Sequence, residues 1–316
     1  MYVHSAAKAG RDAGELAGLE PVGVFATRHI EDILALKPDC VLYMPHSLDY
    51  DEICQLLESG ANIVTTRMEL HTPDSLEPDI RSRIETACEF GNSSIHATGA
   101  SPGFITEAMP IVLTSIQRRL DCITIFEYAD CSTRNSPEML FEMMGFGASP
   151  EAGPNQHILD HHKLSFGPTI SLMTKSFGLT LDSIEATGAL GIARNDVHIA
   201  AGVVPAGTVA ATRTTVAGMR NGKPVMQLVA NWYVASDVDT TDNQLWDFRE
   251  SGWRVLVDGD CPLDVAITFP VAPEDYAEMT PGLTAHRPVN AIPYVCDAPP
   301  GLQTCVDLPQ IIGRFG

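Results

Sequence analysis

Apolar runs alternate with amphipathic stretches through roughly the first hundred residues, and this alternation limits the possible folds more than any other feature of the sequence. The apolar runs have the length of buried strands: PDCVLYMP, ANIVTT and SSIHATGA. The intervening stretches space their apolar residues as helices do: TRHIEDILALK, LDYDEICQLLESG and PDIRSRIETACEFGN. Gly60 and Gly91 close the last two, as is typical of helix C-termini. Strands and helices alternating at this spacing predict a parallel sheet with crossover helices, a doubly wound, Rossmann-like α/β domain.

The pattern changes after SPGF at residues 101–104. A helical stretch, ITEAMPIVLTSIQRRL, is followed by DCITIFEYAD, which alternates as a half-exposed strand does. Strand-like runs continue through residues 183–270, and Asn221-Gly222 and Asp258-Gly259 between them are typical of hairpin turns. Successive hairpins predict a mainly antiparallel sheet and a second domain of the α+β class. The tail HRPVNAIPYVCDAPPG is predicted to return to the first domain, which we place at residues 1–104 and 287–316, with the second at 105–286.

The charge balance excludes some classes of function. The 316-residue chain carries 40 acidic and 20 basic side chains, a formal net charge of −20, which opposes binding to nucleic acids and to anionic membrane surfaces. No apolar run reaches the length of a membrane span, and the N-terminus lacks the apolar core of a signal peptide. The eight cysteines are scattered without a CxxC or a zinc-binding spacing. We expect a cytoplasmic protein without a metal.

Small, polar or kinked residues follow each of the three predicted strands of the first domain. Because ligands of an open parallel sheet bind beyond the carboxyl ends of its strands, the segments 44–46, 65–71 and 98–104 predict a cofactor site. The candidate cofactor-binding residues in these segments are Met44, Pro45, Thr65, Thr66, Ser101, Pro102 and Gly103. Ordinary turn chemistry is the alternative interpretation of each segment taken alone.

A dinucleotide site normally contains a glycine-rich turn after its first strand, and no GxGxxG is present. We interpret YVHS as the end of a second strand, where the adenosine ribose is recognised. Ser5, Lys8 and Arg11 follow it in place of an acidic residue, which favours NADP over NAD; a solvated basic loop is the alternative. On this interpretation about 30 residues of a βαβ unit, with the first strand, phosphate loop and first helix, are missing. Met1 is then an internal methionine or a misassigned start.

One strand end carries a carboxylate between a cation and an imidazole. In NIVTTRMELHTP, residues 62–73, the apolar run is followed by Arg67, Glu69 and His71. A carboxylate in a partly dry cleft can act as a general acid or base, and Arg67 or His71 could orient or tune it. The alternative is that these are the solvated polar residues found at most strand ends.

Motifs in the first domain and at the end of the chain carry a family resemblance. They are VHSAAKAGRDAGEL, DCVLYMP, NIVTTRMELHTP, TGASPGF and VNAIPYVCDAPPGLQTCVDLP. Together they resemble the 2,4-diaminopentanoate dehydrogenase and native amine dehydrogenase family, related in fold to dihydrodipicolinate reductase; the similarity is looser through residues 150–280. The resemblance implies NAD(P)-dependent oxidative deamination of an amine, or reductive amination of a ketone, by a homodimer that pairs through the second domain's sheet. It also implies that Glu69 is the catalytic glutamate.

The substrate is expected between the nicotinamide and the sheet of the second domain. The candidate substrate-binding residues are Phe104, Glu127, Phe141, Asn231 and Tyr233. Glu127 and Asp130 would both suit a cationic amine, but three residues apart on a strand they face opposite sides, so at most one lines the pocket. Plain packing is the alternative for each of these side chains.

Two other functions stay open. DHHKLSFGPTISL resembles the His-His-Lys region of dihydrodipicolinate reductases, although Lys163 follows the histidines directly and the rest of the reductase signature does not follow. We interpret His161 and His162 as part of a polar helix or loop and keep a reductase of that type as an alternative. The second open possibility is that the chain is a truncated, non-catalytic relative that cannot hold the dinucleotide.

Overall fold

The chain divides into two units in the computed structural model, which describes residues 1–272 and 275–315. The first unit comprises Met1–Ala97 and Pro288–Gly316, and the second comprises Thr98–Arg287. The division predicted from the sequence has its boundaries at residues 104 and 287. No helix among the described residues has both the length and the apolar character needed to cross a membrane.

Helices and strands alternate in the first unit, whereas long strands dominate the second. The helices are α1 (Ala13–Leu16), α2 (Ile30–Ala35), α3 (Tyr50–Glu58), α4 (Pro78–Gly91), α5 (Met109–Thr114), α6 (Gln156–Ser176) and α7 (Tyr276–Cys296). Shorter or irregular helical segments are Met68–Leu70, Pro73–Ser75, Ala100–Ala108, Glu138–Met143 and Pro150–Ala152. The strands are β1 (Cys40–Leu42), β2 (Asn62–Thr65), β3 (Ser94–Ala97), β4 (Leu120–Asp130), β5 (Ser183–Ala193), β6 (Val197–Ile199), β7 (Gly202–Val204), β8 (Val209–Arg220), β9 (Lys223–Tyr233), β10 (Val238–Thr240), β11 (Gly252–Gly259), β12 (Leu263–Thr268) and β13 (Gly301–Gln303).

The first unit contains a sheet with the strand order β1-β2-β3-β13, in which each neighbouring pair is parallel. Ile63, Val64 and Ile95 are buried, so the centre of the sheet is covered on both faces, as parallel strands require. This arrangement confirms the predicted parallel α/β class. The predicted strand YVHS is present only as an isolated parallel bridge between Tyr2 and Thr27.

Local sequence signals determine both ends of α3 and α4. The side chain of Asp49 caps α3 by accepting hydrogen bonds from two backbone N–H groups of the first turn. Gly60 follows that helix with a φ of 91°, as predicted for a glycine cap. Pro78 opens α4, and Asn92 closes it with a left-handed φ of 51°. The predicted cap at Gly91 is therefore wrong by one residue.

Gly91 has a packing role instead. A Cβ atom at this position would lie 1.8 Å from the carbonyl oxygen of Leu57, so the end of α4 is pressed against the backbone at the end of α3. Ile53, Leu57 and Ile84 are fully buried between these helices and the sheet. Only glycine permits this close approach of the two helices.

The second unit contains a seven-stranded sheet with the order β10-β5-β8-β9-β4-β11-β12. Its neighbours are antiparallel except for β4 and β9, which are parallel. The predicted mainly antiparallel sheet of an α+β domain is therefore confirmed. The parallel pair at its centre was not predicted, because the segment that separates β4 from β9 contains a helix and several strands.

One predicted hairpin turn is right and the other is wrong. Asn221 and Gly222 have φ values of 51° and 72° and join β8 to β9 in the conformation that an Asn-Gly hairpin favours. Asp258 and Gly259 remain within β11, paired with β4, and the turn to β12 comes after them. A Cβ at position 259 would lie 2.3 Å from the carbonyl oxygen of Arg119, so this glycine permits a close backbone contact.

Helix α6 covers one face of the second sheet. A Cβ added to Gly218 would lie 2.8 Å from Cγ2 of Ile170, and one added to Gly167 would lie 3.4 Å from side-chain atoms of Ile184. The strand registers place Gly218, Ile123 and hence Glu127 on this helix-covered face.

Candidate functional site

The carboxyl ends of β1 and β2 are joined by side-chain hydrogen bonds. The two strands are parallel neighbours, so both end at the same edge of the sheet. The hydroxyl of Thr66 donates to Sδ of Met44 over 3.3 Å, and Nη1 of Arg67 donates to the carbonyl oxygen of His46 over 2.8 Å. The hydroxyl of the buried Thr65 accepts from the backbone N–H of Arg67. Two of the three predicted segments therefore form one ordered edge.

Glu69 lies at this edge, in the short helical turn Met68–Leu70, whose Leu70 is buried. Nη2 of Arg67 donates a hydrogen bond to Oε1 of Glu69. The side chain is 40% exposed, whereas Oε2 is itself shielded and accepts no hydrogen bond from the described residues. The carboxylate is thus held at one oxygen by a cation and keeps acceptor capacity at the other.

The Tyr50 phenol interacts electrostatically with both members of this ion pair. Burial raises the pKa of Tyr50, and the negative charge of Glu69 raises it further, while Arg67 opposes that effect. Tyr50 therefore stays protonated and neutral beside the carboxylate at neutral pH. His71, the third member of the predicted Arg67-Glu69-His71 group, is buried with 4% of its surface exposed.

A cleft of about 640 Å³ opens beside β1 in the first unit. Four of the predicted cofactor-binding residues line it, namely Ser5, Lys8, Met44 and Pro45. Arg11 is exposed outside this lining, and its backbone pairs with Ala26. The structure therefore brings the end of the YVHS segment and the end of β1 together and leaves Arg11 apart.

Sequence reasoning missed a tyrosine–glutamate cluster next to the cleft. Glu52, in the first turn of α3, accepts hydrogen bonds from the hydroxyls of Tyr2 over 2.5 Å and Tyr43 over 3.1 Å. The Tyr2–Glu52 hydrogen bond raises the pKa of Tyr2 to about 12. The two tyrosines lie in predicted strands, whereas the glutamate that joins them lies on the helix α3. Nothing in the sequence around this glutamate indicates that it contacts them.

The SPGF turn lies in the second unit. Gly103 has a φ of 125°, and a Cβ there would lie 3.0 Å from Oγ1 of Thr98. This backbone conformation requires glycine. Ser101 precedes Pro102 through a cis peptide bond, and its hydroxyl has no hydrogen-bond partner among the described residues. Ser101 remains a predicted cofactor contact whose hydroxyl oxygen is shielded in this structure.

The five predicted substrate-binding residues do not form one group. Phe104 and Glu127 both contact Trp253, the first with ring centroids 6.2 Å apart and the second through a hydrogen bond. Asn231 and Tyr233 project from the opposite face of β9, since the register pairs Glu127 with Ala230. The residues on that opposite face make structural contacts: Asn231 with Arg213, Tyr233 with Phe248, and Phe141 with the core around Tyr233. The expectation that all five line one pocket is therefore corrected.

Two tryptophans hold the carboxylate of Glu127. Nε1 of Trp232 donates to Oε1 over 3.2 Å, and Nε1 of Trp253 donates to Oε2 over 3.1 Å. Both tryptophans were absent from the sequence-based site because they reach Glu127 only through the pairing of β9 and β11 with β4.

His161 and His162 both lie in α6, and His161 is exposed as predicted, whereas His162 is buried, so the polar interpretation is wrong for His162 alone. It lies in α6 with 4% of its surface exposed, and its ring meets Trp232 edge-on at 4.9 Å. Nδ1 has no hydrogen-bond partner among the described residues. Burial, with a smaller contribution from His161, lowers the pKa of His162 to about 4. The imidazole is therefore neutral and packed in the core at neutral pH.

We expect His162 to make the second unit sensitive to acid. The unfolded chain takes up a proton below pH 6.5, whereas the folded chain resists it until about pH 4. As the pH is lowered from 6.5 to about 4, the free energy of unfolding should therefore decrease. This residue contributes about 1.4 kcal/mol of that decrease per pH unit. Urea denaturation across this pH range should give a shallower pH dependence for His162→Gln. The exposed His157→Gln, on the same helix, should keep the wild-type slope; an unchanged slope in His162→Gln would contradict the assignment.

The comparison with known families decides the identity. The 2,4-diaminopentanoate dehydrogenase C-terminal domain matches residues 104–314, more than half of the chain. The chain belongs to the 2,4-diaminopentanoate dehydrogenase family. The predicted family is therefore confirmed, and the chain is an oxidoreductase.

Relatives and a solved structure agree with this membership. The amine dehydrogenase of Streptomyces virginiae is 29% identical over 332 residues, which cover 100% of this chain and 91% of the relative. The 2,4-diaminopentanoate dehydrogenase of Acetoanaerobium sticklandii is 24% identical over 306 residues, covering 90% and 79%. The structure of the amine dehydrogenase from Mycobacterium smegmatis matches with a TM-score of 0.69 and 20% identity, over 98% of this chain and 88% of that one. This last similarity supports the shared Rossmann-like fold.

Proposed function

We propose that this 2,4-diaminopentanoate dehydrogenase family member interconverts an amine and a ketone with a nicotinamide dinucleotide, and that Glu69 is its general acid and base. The observation that carries the proposal is the position of Glu69. It lies at the carboxyl edge of the parallel sheet, with one oxygen hydrogen-bonded to Arg67 and the other shielded and without a hydrogen-bond partner among the described residues. Ligands of this class of sheet bind at that edge.

The residues at the edge fit the dinucleotide. The cleft beside β1 offers apolar surface from Met44 and Pro45, and polar groups from Ser5 and Lys8. Lys8 supplies a positive charge where a 2′-phosphate would lie, which favours NADP over NAD. Arg11 lies outside the cleft lining and adds nothing to this preference. Thr65, Thr66 and the SPGF residues Ser101, Pro102 and Gly103 remain proposed cofactor contacts.

Glu69 would move protons while the coenzyme accepts or returns a hydride at carbon. In the oxidative direction the carboxylate removes a proton from the substrate ammonium, so that the nitrogen lone pair can form the iminium as hydride leaves. The resulting carboxylic acid releases that proton to solvent, and the regenerated carboxylate takes a proton from the attacking water and passes it to the departing nitrogen. The products are a ketone, ammonium, the reduced coenzyme and one released proton. Arg67 fixes the orientation of the carboxylate during these transfers.

We also propose that two copies pair through the sheet of the second unit, and that the protein works in the cytoplasm. The face of that sheet opposite α6 carries partly exposed Phe126, Thr215 and Gln227, which are compatible with a partner surface.

Of the five predicted substrate-binding residues we keep Phe104 and Glu127 as proposed substrate contacts, because both contact Trp253 on the helix-covered face.

Steady-state assays of the protein with a panel of primary amines test the proposed function. Formation of reduced coenzyme is followed by its absorbance, with NAD and NADP compared at equal concentration, and ketone and ammonium are measured as products. We expect amine-dependent reduction, faster with NADP. Absence of reduction with every amine and both coenzymes, together with absence of the reverse reaction from ketones and ammonium, would overturn the proposal.

A further inference from the structure

Both carboxylate oxygens of Glu127 accept hydrogen bonds from neighbouring strands. The residue lies on β4, directly opposite Trp253 of β11 and two register positions from Trp232 of β9, which pairs with Ala129. Each of its oxygens accepts one indole N–H, at 3.2 and 3.1 Å. Because the two donors approach from strands on either side, the carboxylate has one orientation in the sheet. An ionised carboxylate has about four acceptor positions, so about two remain for another donor.

Among the described residues, no cationic side chain forms a direct ion pair with the carboxylate of Glu127. His162 packs on the other side of Trp232 as a neutral ring, so it supplies no positive charge. The indole N–H groups are neutral donors and leave the negative charge in place. A partly buried carboxylate in this state is stabilised by any cation that reaches it.

The surroundings of Glu127 are aromatic. Trp253 meets Phe269 edge-on with ring centroids 5.2 Å apart, and Phe104 lies 6.2 Å from the same indole. Phe104 and Phe269 thus pack against Trp253, one of the two tryptophans whose indole N–H groups donate to the carboxylate. Aromatic faces attract ammonium groups, and attract them more strongly where water is excluded. A fixed carboxylate among aromatic rings is the combination expected for recognition of a primary ammonium.

We propose that Glu127, held between Trp232 and Trp253, is the subsite that binds the ammonium form of the nitrogen reactant. This rests on the proposed amine–ketone interconversion and deepens it. The ligand is either the protonated amine in the oxidative direction or the ammonium ion in the reductive direction. A neutral ketone gains nothing from this carboxylate. Glu127 therefore discriminates between the charged and neutral reactants of the same reaction.

The test is a binding titration without coenzyme or turnover, followed by tryptophan fluorescence, since two of the chain's three tryptophans donate to Glu127. Propylammonium and ammonium chloride are titrated separately, against sodium chloride at equal ionic strength and against propan-1-ol. We expect a saturable change with propylammonium or ammonium and none with either control. The cation that binds more tightly identifies whether the subsite serves the amine or free ammonium.

Glu127→Gln should weaken this binding by about tenfold or more, because the charge-assisted hydrogen bond is lost. The matched control is Glu185→Gln, an exposed glutamate on β5 of the same sheet, which should bind as the wild type does. If Glu127→Gln fails to fold, Glu127→Asp is used in its place. This variant keeps the negative charge but places it one methylene farther from the ligand, so it should also weaken cation binding. An unchanged affinity in the variant, or no saturable response in the wild type, overturns the subsite.

Kinetics separate this result from the proposed function. Glu127→Gln should raise the KM for the amine, or for ammonium in the reverse direction, and leave the KM for the ketone within about twofold. If catalysis is absent altogether but cation binding depends on Glu127, the proposed function fails and the subsite stands. If catalysis occurs and both KM values are unchanged in the variant, the subsite fails alone.

Discussion

Glu69→Gln is expected to lower kcat by about 10²–10⁴-fold, the usual contribution of a positioned general acid or base. The amide keeps the size of the side chain and can still accept a hydrogen bond from Arg67, but it cannot take up a proton from nitrogen or water. The dissociation constant for the reduced coenzyme should change little, because Glu69 is proposed to act on the substrate. Pre-steady-state and steady-state assays, with coenzyme binding followed by nicotinamide fluorescence, measure both quantities.

The matched control for this experiment is Glu77→Gln. Glu77 lies in the same connection between β2 and α4, is exposed, and makes no capping hydrogen bond. It should retain the wild-type kcat. Glu69 would have no part in proton transfer if Glu69→Gln turned over as fast as this control.

Gly91→Ala should strongly destabilise the first unit. In a typical helix, alanine in place of glycine stabilises by about 0.5–1 kcal/mol. Here the added Cβ would lie 1.8 Å from the carbonyl oxygen of Leu57, and backbone atoms cannot move aside as a flexible side chain could. We expect α3 and α4 to separate, with a loss of about 3 kcal/mol in the free energy of unfolding.

Hydrogen exchange of the α3 and α4 amides measures this effect within the first unit. The matched control is Glu89→Ala, an exposed position in the last turn of the same helix, which should leave protection within about 0.5 kcal/mol of the wild type. Protection equal to or greater than wild type in Gly91→Ala would show that the helices do not make this close contact.

The parallel sheet was predictable because its signals are local. Strands β1, β2 and β3 are short apolar runs, and α3 and α4 carry their own caps or glycine, so these five elements could be placed without tertiary information. The pairing of β4 with β9 could not. Their pairing depends on how a long intervening segment folds, and no feature of either strand alone indicates a parallel neighbour.

The candidate site residues likewise include some that local sequence indicates and some that depend on strand register. The position of Glu69 at the sheet edge could be predicted because the residue follows the carboxyl end of β2. Asn231 and Tyr233 were placed in the wrong group because the face on which a strand residue projects depends on register, and a shift of one residue exchanges the faces. The same dependence concealed Trp232 and Trp253, whose indoles reach Glu127 only in the observed register.

The hydrogen bonds that hold Glu127 join residues 105 and 126 positions apart in the chain. Closing loops of that length is entropically costly, so these contacts are expected to form late in folding. Until β11 reaches the sheet, the glutamate keeps its water shell and no rigid anion exists among the strands. The proposed ammonium subsite should therefore appear only when β11 pairs with β4, and partly assembled chains would lack it however much secondary structure they contain.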